Sequence, residues 1–227
     1  MRRALRALST VLIIAGTLLI VDAGVTLAWQ EPLSAVYARI TQNKLSGDFR
    51  KLQGAGLSRQ DRHTLEAVGH DAKRRIAVLA RSFRRRIKTG QAIGRITIPR
   101  IGAKYVVVQG TDTASLRKGP GHYPSTTLPG LPGTVAIAGH RTTYLAPFRH
   151  VDRLKRGDTI TLEMPYARFT YKVEMVKVVL PTALWVTKNV KHDRLVLSAC
   201  HPLYSASHRI IVFARQVAAE PRGAAAG

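Results

Sequence analysis

The sequence predicts a mainly β domain over residues 90–217, preceded by an apolar amino-terminal helix and a basic helical segment. Three observations predict this organisation. A stretch of about twenty apolar residues lies near the amino terminus, a stripe of apolar residues with helical spacing follows it, and beyond Gly90 short β-rich runs alternate with turn residues. With 45% hydrophobic residues, the chain is too apolar to be disordered throughout.

The apolar segment runs from Thr10 to Trp29 and has about the length that a helix needs to cross the hydrocarbon core of a bilayer. Three arginines precede it. The positive-inside rule therefore predicts a cytoplasmic amino terminus at residues 1–9, a membrane anchor at residues 10–29 and an extracellular remainder. Asp22 interrupts the segment and leaves a cleaved signal peptide as the alternative. Both interpretations export the rest of the chain.

Residues 30–89 are predicted to form a linker that contains one basic amphipathic helix. The first part shows no clear period, whereas from Ser58 to Lys88 apolar residues recur every three or four positions. Ser58 is typical of a helix N-cap, and Gly90 follows the stripe as a C-cap would. The many arginines predict a helix that lies on anionic headgroups, packs on the following domain or serves as a solvated spacer. If the helix packs on the domain, the domain begins near Ser58 rather than near Gly90.

Residues 90–217 contain seven β-rich runs with Gly, Pro and Asp between them. Because no long helices separate the runs, we expect a mostly antiparallel barrel or sandwich of seven or eight strands. A single helical turn is expected around Val151–Lys155, and residues 218–227 are expected to form a flexible tail. The runs are Ile93–Ile98, Tyr105–Val108, Val135–Ala138, Thr159–Leu162, Phe169–Val179, Leu195–Ser198 and Arg209–Arg215.

Cys200 is the single cysteine, which excludes a disulfide within the chain and a multi-cysteine zinc site. It ends an apolar run and is therefore predicted to lie where a strand emerges into a loop. Most free cysteines are buried and inert. An unpaired thiol outside the cytoplasm is prone to oxidation, however, and a nucleophilic role would explain its presence. The sequence has no cluster of acidic or other metal-binding residues, so no metal and no cofactor are predicted.

A thiol needs a nearby histidine or positive charge to react near neutral pH. His140 follows a β-rich run directly and is the first candidate, with His122 and His201 as second candidates. Arg209 begins the next β-rich run after Cys200. If these two runs are antiparallel neighbours, both residues lie at the same end of the sheet, where the arginine could stabilise an oxyanion. An ordinary surface arginine is the alternative in so basic a chain.

Residues 90–217 resemble the sortase family in three motifs, in the order histidine, cysteine, arginine. The GHRTTY run and the Cys-His-Pro step are most similar to class E sortases, the wall-anchoring enzymes of high-GC Gram-positive bacteria. The sequence departs from the family pattern before the cysteine, where Leu-Ser-Ala stands in place of the usual threonines. The motifs are GHYP (121–124) with LPG (128–130), AIAGHRTTY (136–144), and LSAC (197–200) followed by SASHRIIV (205–212).

This resemblance implies a sortase-like closed β-barrel and a membrane-anchored cysteine transpeptidase. It implies that Cys200 attacks the Thr–Gly bond of an LPxTG- or LAxTG-like sorting signal, that His140 serves as general acid and base, and that Arg209 holds the substrate backbone and the oxyanion. The implied partners are surface proteins that bear the signal and an amine of the peptidoglycan precursor as acyl acceptor. The substrate-binding residues suggested by the resemblance are His122, Ala199, His201 and Trp185.

Other classes of function are also consistent with the sequence. A secreted cysteine hydrolase would use the same Cys–His pair with water as acceptor, and a requirement for an amine would separate the two enzymes. A non-catalytic, membrane-tethered protein that binds polyanions would account for 36 Lys and Arg residues against 13 Asp and Glu. Aromatic residues make up only 6% of the chain, and export removes most nucleic acid, so no nucleic-acid partner is predicted. An inactive scaffold with the same barrel is the last alternative.

Overall fold

A computed structural model of the chain describes residues 2–28 and 32–226, and within them eight strands close into a barrel in the order β1-β2-β3-β4-β7-β8-β6-β5. The β2–β3 and β4–β7 pairs are parallel, and the other neighbours are antiparallel. The predicted mainly β barrel is thus confirmed, and the sandwich alternative is wrong.

The strands are β1 (Ala92–Ile98), β2 (Ala103–Gln109), β3 (Gly121–His122), β4 (Thr134–Ala138), β5 (Thr159–Glu163), β6 (Ala167–Val179), β7 (Arg194–His201) and β8 (His208–Pro221). The helices are α1 (Arg2–Ala28), α2 (Pro32–Gly54), α3 (Arg59–Val68), α4 (Ala72–Arg86) and α5 (Thr113–Lys118). A short 3-10 turn at Val151–Arg153 lies where a single helical turn was expected.

Side chains alternate between the barrel interior and its outer face, because successive residues of a strand point to opposite sides. On β7, Leu195, Leu197 and Ala199 pack in the main core cluster, whereas Val196 packs in a separate cluster on the outer face. Cys200 follows in the same alternation and therefore lies on the outer face, at the end of the strand. The candidate nucleophile is thus directed away from the core.

Helix α1 is the candidate membrane span among the described residues. Its segment Arg3–Gly24 is long and apolar enough to cross a bilayer, by length and composition, and none of it is buried against the rest of the chain. Ile20, for example, is 75% exposed. The helix begins before the predicted start at Thr10 because the intervening residues are mostly Arg, Ala and Leu, which favour helix. Trp29, the last residue of the predicted anchor, lies outside the described residues.

Residues 32–54, predicted as part of an irregular linker, form helix α2 and pack on β1 and β2. Leu45 and Phe49 are buried against Ala92 and Val106. Gln42 pairs its side-chain amide with the backbone of Val106, accepting from its N–H (2.8 Å) and donating to its carbonyl (3.1 Å). Because part of the buried face of α2 is a glutamine bonded to a strand, the apolar period in the sequence is interrupted.

The single helix predicted from Ser58 to Lys88 is two helices, α3 and α4. Gly69 ends α3 with a φ of 61°, a left-handed value that favours glycine, and the carboxylate of Asp71 caps the start of α4. Ser58 caps the start of α3, as predicted. Helix α4 ends at Arg86, so Gly90 is not its C-cap as the sequence predicted.

Helix α4 packs on the barrel, which is one of the alternatives left open by the sequence. Ile76, Leu79 and Phe83 are buried in the main core cluster, together with residues of the strands. The arginines in the second half of the helix stay exposed. The packed unit therefore begins before Gly90.

Residues 218–226 pair with β6 or pack on α4, whereas the sequence predicts a flexible tail at 218–227; Gly227 lies outside the described residues. Strand β8 pairs with β6 to its end at Pro221, and Ala225 is 1% exposed. Arg75 of α4 donates hydrogen bonds to the carbonyls of Ala224 (2.8 Å) and Ala225 (3.2 Å). The sequence carries little sign of this docking because the contacts use the backbone of small residues.

Candidate active site

Cys200 and Arg209 lie opposite each other on neighbouring strands. Strands β7 and β8 are antiparallel, and their register pairs these two residues directly. Cα atoms of such a pair are about 4.5–5.5 Å apart, and the two side chains share one face of the sheet. Both residues are partly exposed. The register thus brings the thiol and the guanidinium to the same end of the sheet, as the sequence predicted.

The guanidinium of Arg209 is held over the turn that connects β7 with β8. Its Nη1 donates to the carbonyls of Ala206 and His208, both at 2.9 Å. Both bonds are made by one nitrogen of the planar group. The arrangement fixes the direction of the side chain beside Cys200.

Strand β4 brings His140 to the same position. It runs parallel to β7 with Ala138 beside Ser198, and the N–H of Gly139 donates to the Ser198 carbonyl at 3.0 Å. His140 and Cys200 each lie two residues beyond this last pair, at the same end of the sheet. Gly139 is required for this approach because a Cβ there would lie 2.5 Å from the ring of Phe148.

The imidazole of His140 is half-buried beside an aromatic side chain. Its ring centroid lies 5.4 Å from that of Tyr144, which also contacts Tyr37 of α2 at 6.5 Å. Burial lowers the pKa of His140 below its usual 6.5. The neutral imidazole therefore predominates at pH 7. Helix α2, predicted as linker, reaches the segment that carries the histidine.

Sequence reasoning missed Arg141, whose buried side chain connects the histidine segment with β7. The residue is 3% exposed, and its Nη1 donates to the Cys200 carbonyl at 3.4 Å and lies 3.1 Å from Nδ1 of His201. Its position directly after His140, inside the GHRTTY run, was the available signal. In a chain with 36 Lys and Arg residues, composition alone does not distinguish a buried arginine from a surface one.

His122 is not among the groups open to a substrate. The residue is 2% exposed, its Nδ1 lies 2.9 Å from Oε1 of Gln109, and its Nε2 lies 2.9 Å from the Thr127 carbonyl. Burial lowers the pKa of His122 to about 4. These contacts give the ring a structural role in the loop that leads to β4.

Acid is expected to destabilise the fold through His122. Between pH 6.5 and pH 4 the unfolded chain binds a proton at this residue and the folded chain does not, so stability is complete above pH 6.5 and falls as the pH decreases. The loss approaches roughly 3 kcal/mol near pH 4. Thermal melts of the wild type and of His122→Gln across this range measure it. The wild type should lose more stability than the variant as the pH falls. If stability depends on pH in the same way in both proteins, His122 is not the cause of the acid destabilisation.

The other predicted substrate-binding residues are divided between two faces of the barrel. The side chain of Ala199 points into the core, opposite to Cys200. His201 is adjacent to Cys200 and contacts Arg141 as described above. Trp185 lies in a short turn between β6 and β7, is 48% exposed and stacks on Phe213 with ring centroids 6.0 Å apart. Trp185 therefore lies on the outer face with Cys200, whereas Ala199 and, by the same alternation along β7, His201 point to the other side, where His201 contacts the buried Arg141.

The segment that connects β6 with β7 forms an apolar wall on the outer face. Val186 packs against Ala136, Val196 and Ile211, which lie on the same face as Cys200. Leu184 and Trp185 beside it are exposed. An apolar surface thus extends from the connection toward the Cys200 end of β7. In the described part of the chain, no group of three or more His, Cys, Asp or Glu side chains could hold a metal ion.

Residues 96–217 match the family model described as Sortase domain. The curated Sortase D of Bacillus subtilis (strain 168) is 34% identical over 134 residues, which is 57% of this chain and 66% of that protein. Sortase SrtE1 of Streptomyces coelicolor is 28% identical over 149 residues, 59% of this chain and 42% of that protein. The chain therefore spans just under two thirds of the first relative and less than half of the second.

Solved structures agree with these matches. The structure of sortase E from Streptomyces avermitilis superposes with a TM-score of 0.55 at 32% identity, covering 62% of this chain and 99% of that chain. The superposition extends the similarity from sequence to the arrangement of the barrel.

Proposed function

The chain belongs to the sortase family, and from that premise we propose that it is a membrane-anchored cysteine transpeptidase. The proposed enzyme cleaves an LPxTG- or LAxTG-like sorting signal between Thr and Gly and transfers the acyl group to an amine of the cell-wall precursor. The observation that carries the proposal is the direct pairing of Cys200 with Arg209, with His140 two residues beyond the last β4–β7 pair, Ala138 with Ser198. Nucleophile, acid–base group and oxyanion donor then converge on one face.

In the acylation step, the Cys200 thiolate attacks the carbonyl carbon of the signal threonine and forms a carbon–sulfur bond. The negative charge that develops on the carbonyl oxygen is stabilised by Arg209. The carbon–nitrogen bond then breaks, and protonated His140 gives its proton to the leaving glycine amine. The products are a thioacyl enzyme and a peptide with a free amino terminus.

In the second step, an amine attacks the thioacyl carbon, and neutral His140 accepts the proton that the amine loses. The carbon–sulfur bond breaks, the thiolate is released and a new amide bond remains. Because burial lowers the pKa of His140, the base required for this step predominates at neutral pH, while the acid required for the first step is the minor form.

The apolar wall between β6 and β7 supports a substrate with apolar residues before the scissile bond. Leucine and proline or alanine of the signal would lie against Leu184 and Trp185, which are exposed in this connection. The polar backbone of an extended peptide would then reach Arg209. We also propose that the enzyme is of class E, on the similarity of its GHRTTY run to that class.

Membrane anchoring is proposed from the exposed apolar surface of α1 and the arginines at its amino end. The orientation follows the positive-inside rule, with the amino terminus in the cytoplasm and the barrel outside the cell. The sorting-signal proteins and the acceptor amine of the cell wall would meet the enzyme on that side. The exposed arginines of α4 are available to anionic headgroups or wall polymers.

The proposal is tested by incubating the full chain in detergent with LPETG- and LAETG-type peptides and an amine acceptor. Mass spectrometry should detect the thioacyl adduct on Cys200 and the amide product that contains the acceptor. Formation of only the hydrolysed peptide at high amine concentration would instead support the cysteine hydrolase. Absence of both adduct and cleavage with either peptide would contradict the proposed function.

Replacement of Arg209 by lysine is expected to be nearly as damaging as replacement by alanine. Lysine retains the positive charge but loses the planar group that directs several hydrogen bonds at once. If Arg209 binds the oxyanion, both variants should lose about 100-fold or more in kcat, the range of a single oxyanion donor. The control is alkylation of Cys200 by iodoacetamide, which should proceed in both variants because it needs no oxyanion site. A lysine variant with wild-type kcat would reduce the role of Arg209 to its charge.

A further inference from the structure

Arg141 carries a contact pattern that the proposed reaction does not explain. Its side chain is 2% exposed, so it cannot contact a peptide that lies along the outer face beside Cys200. Taking a guanidinium out of water is costly unless its donors are satisfied. The partners that satisfy it therefore indicate what the residue does.

The guanidinium of Arg141 joins three segments of the chain. Nε and Nη2 donate to the carbonyl of Arg149, at 3.2 and 3.1 Å, and Nη2 also pairs with the carboxylate of Asp152 at 2.9 Å. Nη1 faces the opposite way, toward the Cys200 carbonyl at 3.4 Å and Nδ1 of His201 at 3.1 Å. One planar group thus connects both ends of the loop from 140 to 149 with the end of β7.

The backbone of this loop gives a second, independent observation. Tyr144, Leu145 and Ala146 have φ angles of 50°, 63° and 40°. Left-handed values are unfavourable for residues with a Cβ and persist only where the surrounding structure imposes them. Besides Arg141, the restraints include the bond from the Phe148 N–H to the His140 carbonyl at 3.0 Å and the bond from Tyr105 Oη to the Leu145 carbonyl at 3.2 Å. The loop that carries His140 is therefore held by tethers rather than by its own preference.

We propose that Arg141 is a positioning residue that holds His140 in line with Cys200. It does so by fixing the loop from 140 to 149 against the end of β7 through the carbonyls of Arg149 and Cys200 and the ring of His201. The expected effect on kcat rests on the proposed function. The contacts by which Arg141 holds the loop do not depend on that function.

Lysine and methionine at position 141 test the tether in the full chain. Lysine has one nitrogen and cannot reach the Arg149 carbonyl, Asp152 and the Cys200 carbonyl together, whereas methionine fills the space without donors. Because a misplacement of about 1 Å costs up to 100-fold, kcat should fall on the order of 100-fold for Arg141→Met and roughly tenfold for Arg141→Lys. KM for the sorting peptide should change less than about twofold, since uniform binding is unaffected.

The matched control is Arg153→Met, which removes an exposed arginine from the neighbouring turn. It should leave kcat and KM at wild-type values, because Arg153 is neither part of the apolar wall between β6 and β7 nor a partner of Arg141. Asp152→Asn removes the ion pair and keeps the shape, and it should give a smaller decrease in kcat than Arg141→Lys. This variant, together with the lysine variant, carries the test if Arg141→Met fails to fold.

Hydrogen–deuterium exchange supplies a readout that does not depend on activity. In Arg141→Lys, exchange should increase in residues 140–149 and at the end of β7, and it should stay unchanged in β1 and β5. If the loop of Arg141→Lys exchanges at the wild-type rate, or if its KM rises while kcat is retained, the proposal is overturned. A wild type that converts no peptide would contradict the proposed function instead, and the exchange result would still decide whether Arg141 is the tether.

Discussion

Cys200→Ala should abolish turnover and leave the barrel folded. The thiol supplies the nucleophile for both proposed steps, and removal of such a group from a catalytic set typically costs about 10⁴-fold or more in kcat. Cys200 lies on the outer face and pairs with Arg209 through the backbone, which alanine retains. We therefore expect the free energy of unfolding to change by less than about 1 kcal/mol. Turnover of sorting peptides and a thermal melt of the same preparation measure the two effects.

The single thiol makes the control for this variant unambiguous. A methanethiosulfonate reagent should label the wild type at one position, block its activity and leave Cys200→Ala unlabelled. Activity should return when the label is reduced with a thiol. Transpeptidation by Cys200→Ala, or full activity in the labelled wild type, would show that another residue is the nucleophile.

A chain that lacks residues 1–89 should unfold or aggregate, although all three proposed catalytic residues remain. The truncation removes Ile76, Leu79 and Phe83 of α4 and exposes the part of the barrel that they cover. At about 1.5–3 kcal/mol for each buried side chain, the loss is roughly 5–9 kcal/mol. This is comparable with the total stability of an ordinary domain. Circular dichroism and thermal melts of the truncated chain test the expectation.

Two further chains separate the contributions of the amino-terminal helices. A chain that begins at Pro32 loses only the unpacked helix α1 and should melt as the full chain does. A chain that begins at Ser58 also loses Leu45 and Phe49 of α2 and should melt at an intermediate temperature. If the chain without residues 1–89 has the same melting temperature as the chain that begins at Pro32, packing of α4 does not stabilise the domain.

The strands could be predicted because their residues repeat with a clear period and end at turn residues. Phe169–Val179, for instance, lies within the observed β6. The two-residue strand β3 could not be predicted, since its existence depends on neighbours that are distant in sequence. Helix α2 was missed for a related reason, because the contact of Gln42 with Val106 becomes apparent only when the strand is present.

The candidate site could be located from the sequence because its members end apolar runs. His140 follows β4 and Cys200 is the penultimate residue of β7, and the pairing of β4 with β7 and of β7 with β8 brings these strand ends together. Burial is what the sequence could not give. The positions of the histidines do not indicate that the His122 ring is buried. Because the chain is so rich in arginine, the sequence also does not separate the buried Arg141 from the exposed arginines of α4.

In the proposed membrane-anchored enzyme, the contact between α2 and the loop that carries His140 limits how far this histidine lies from the membrane helix. Three residues separate α1 from α2 and can span at most about 14 Å between the helix ends. Tyr37 follows about 7.5 Å along α2 and contacts Tyr144, which contacts His140. His140 therefore lies within about 35 Å of the carboxyl-terminal end of α1, the proposed membrane helix. A fully extended peptide of about ten residues covers that distance, so under the proposed function a substrate anchored in the same membrane would need no longer spacer between its anchor and its sorting signal.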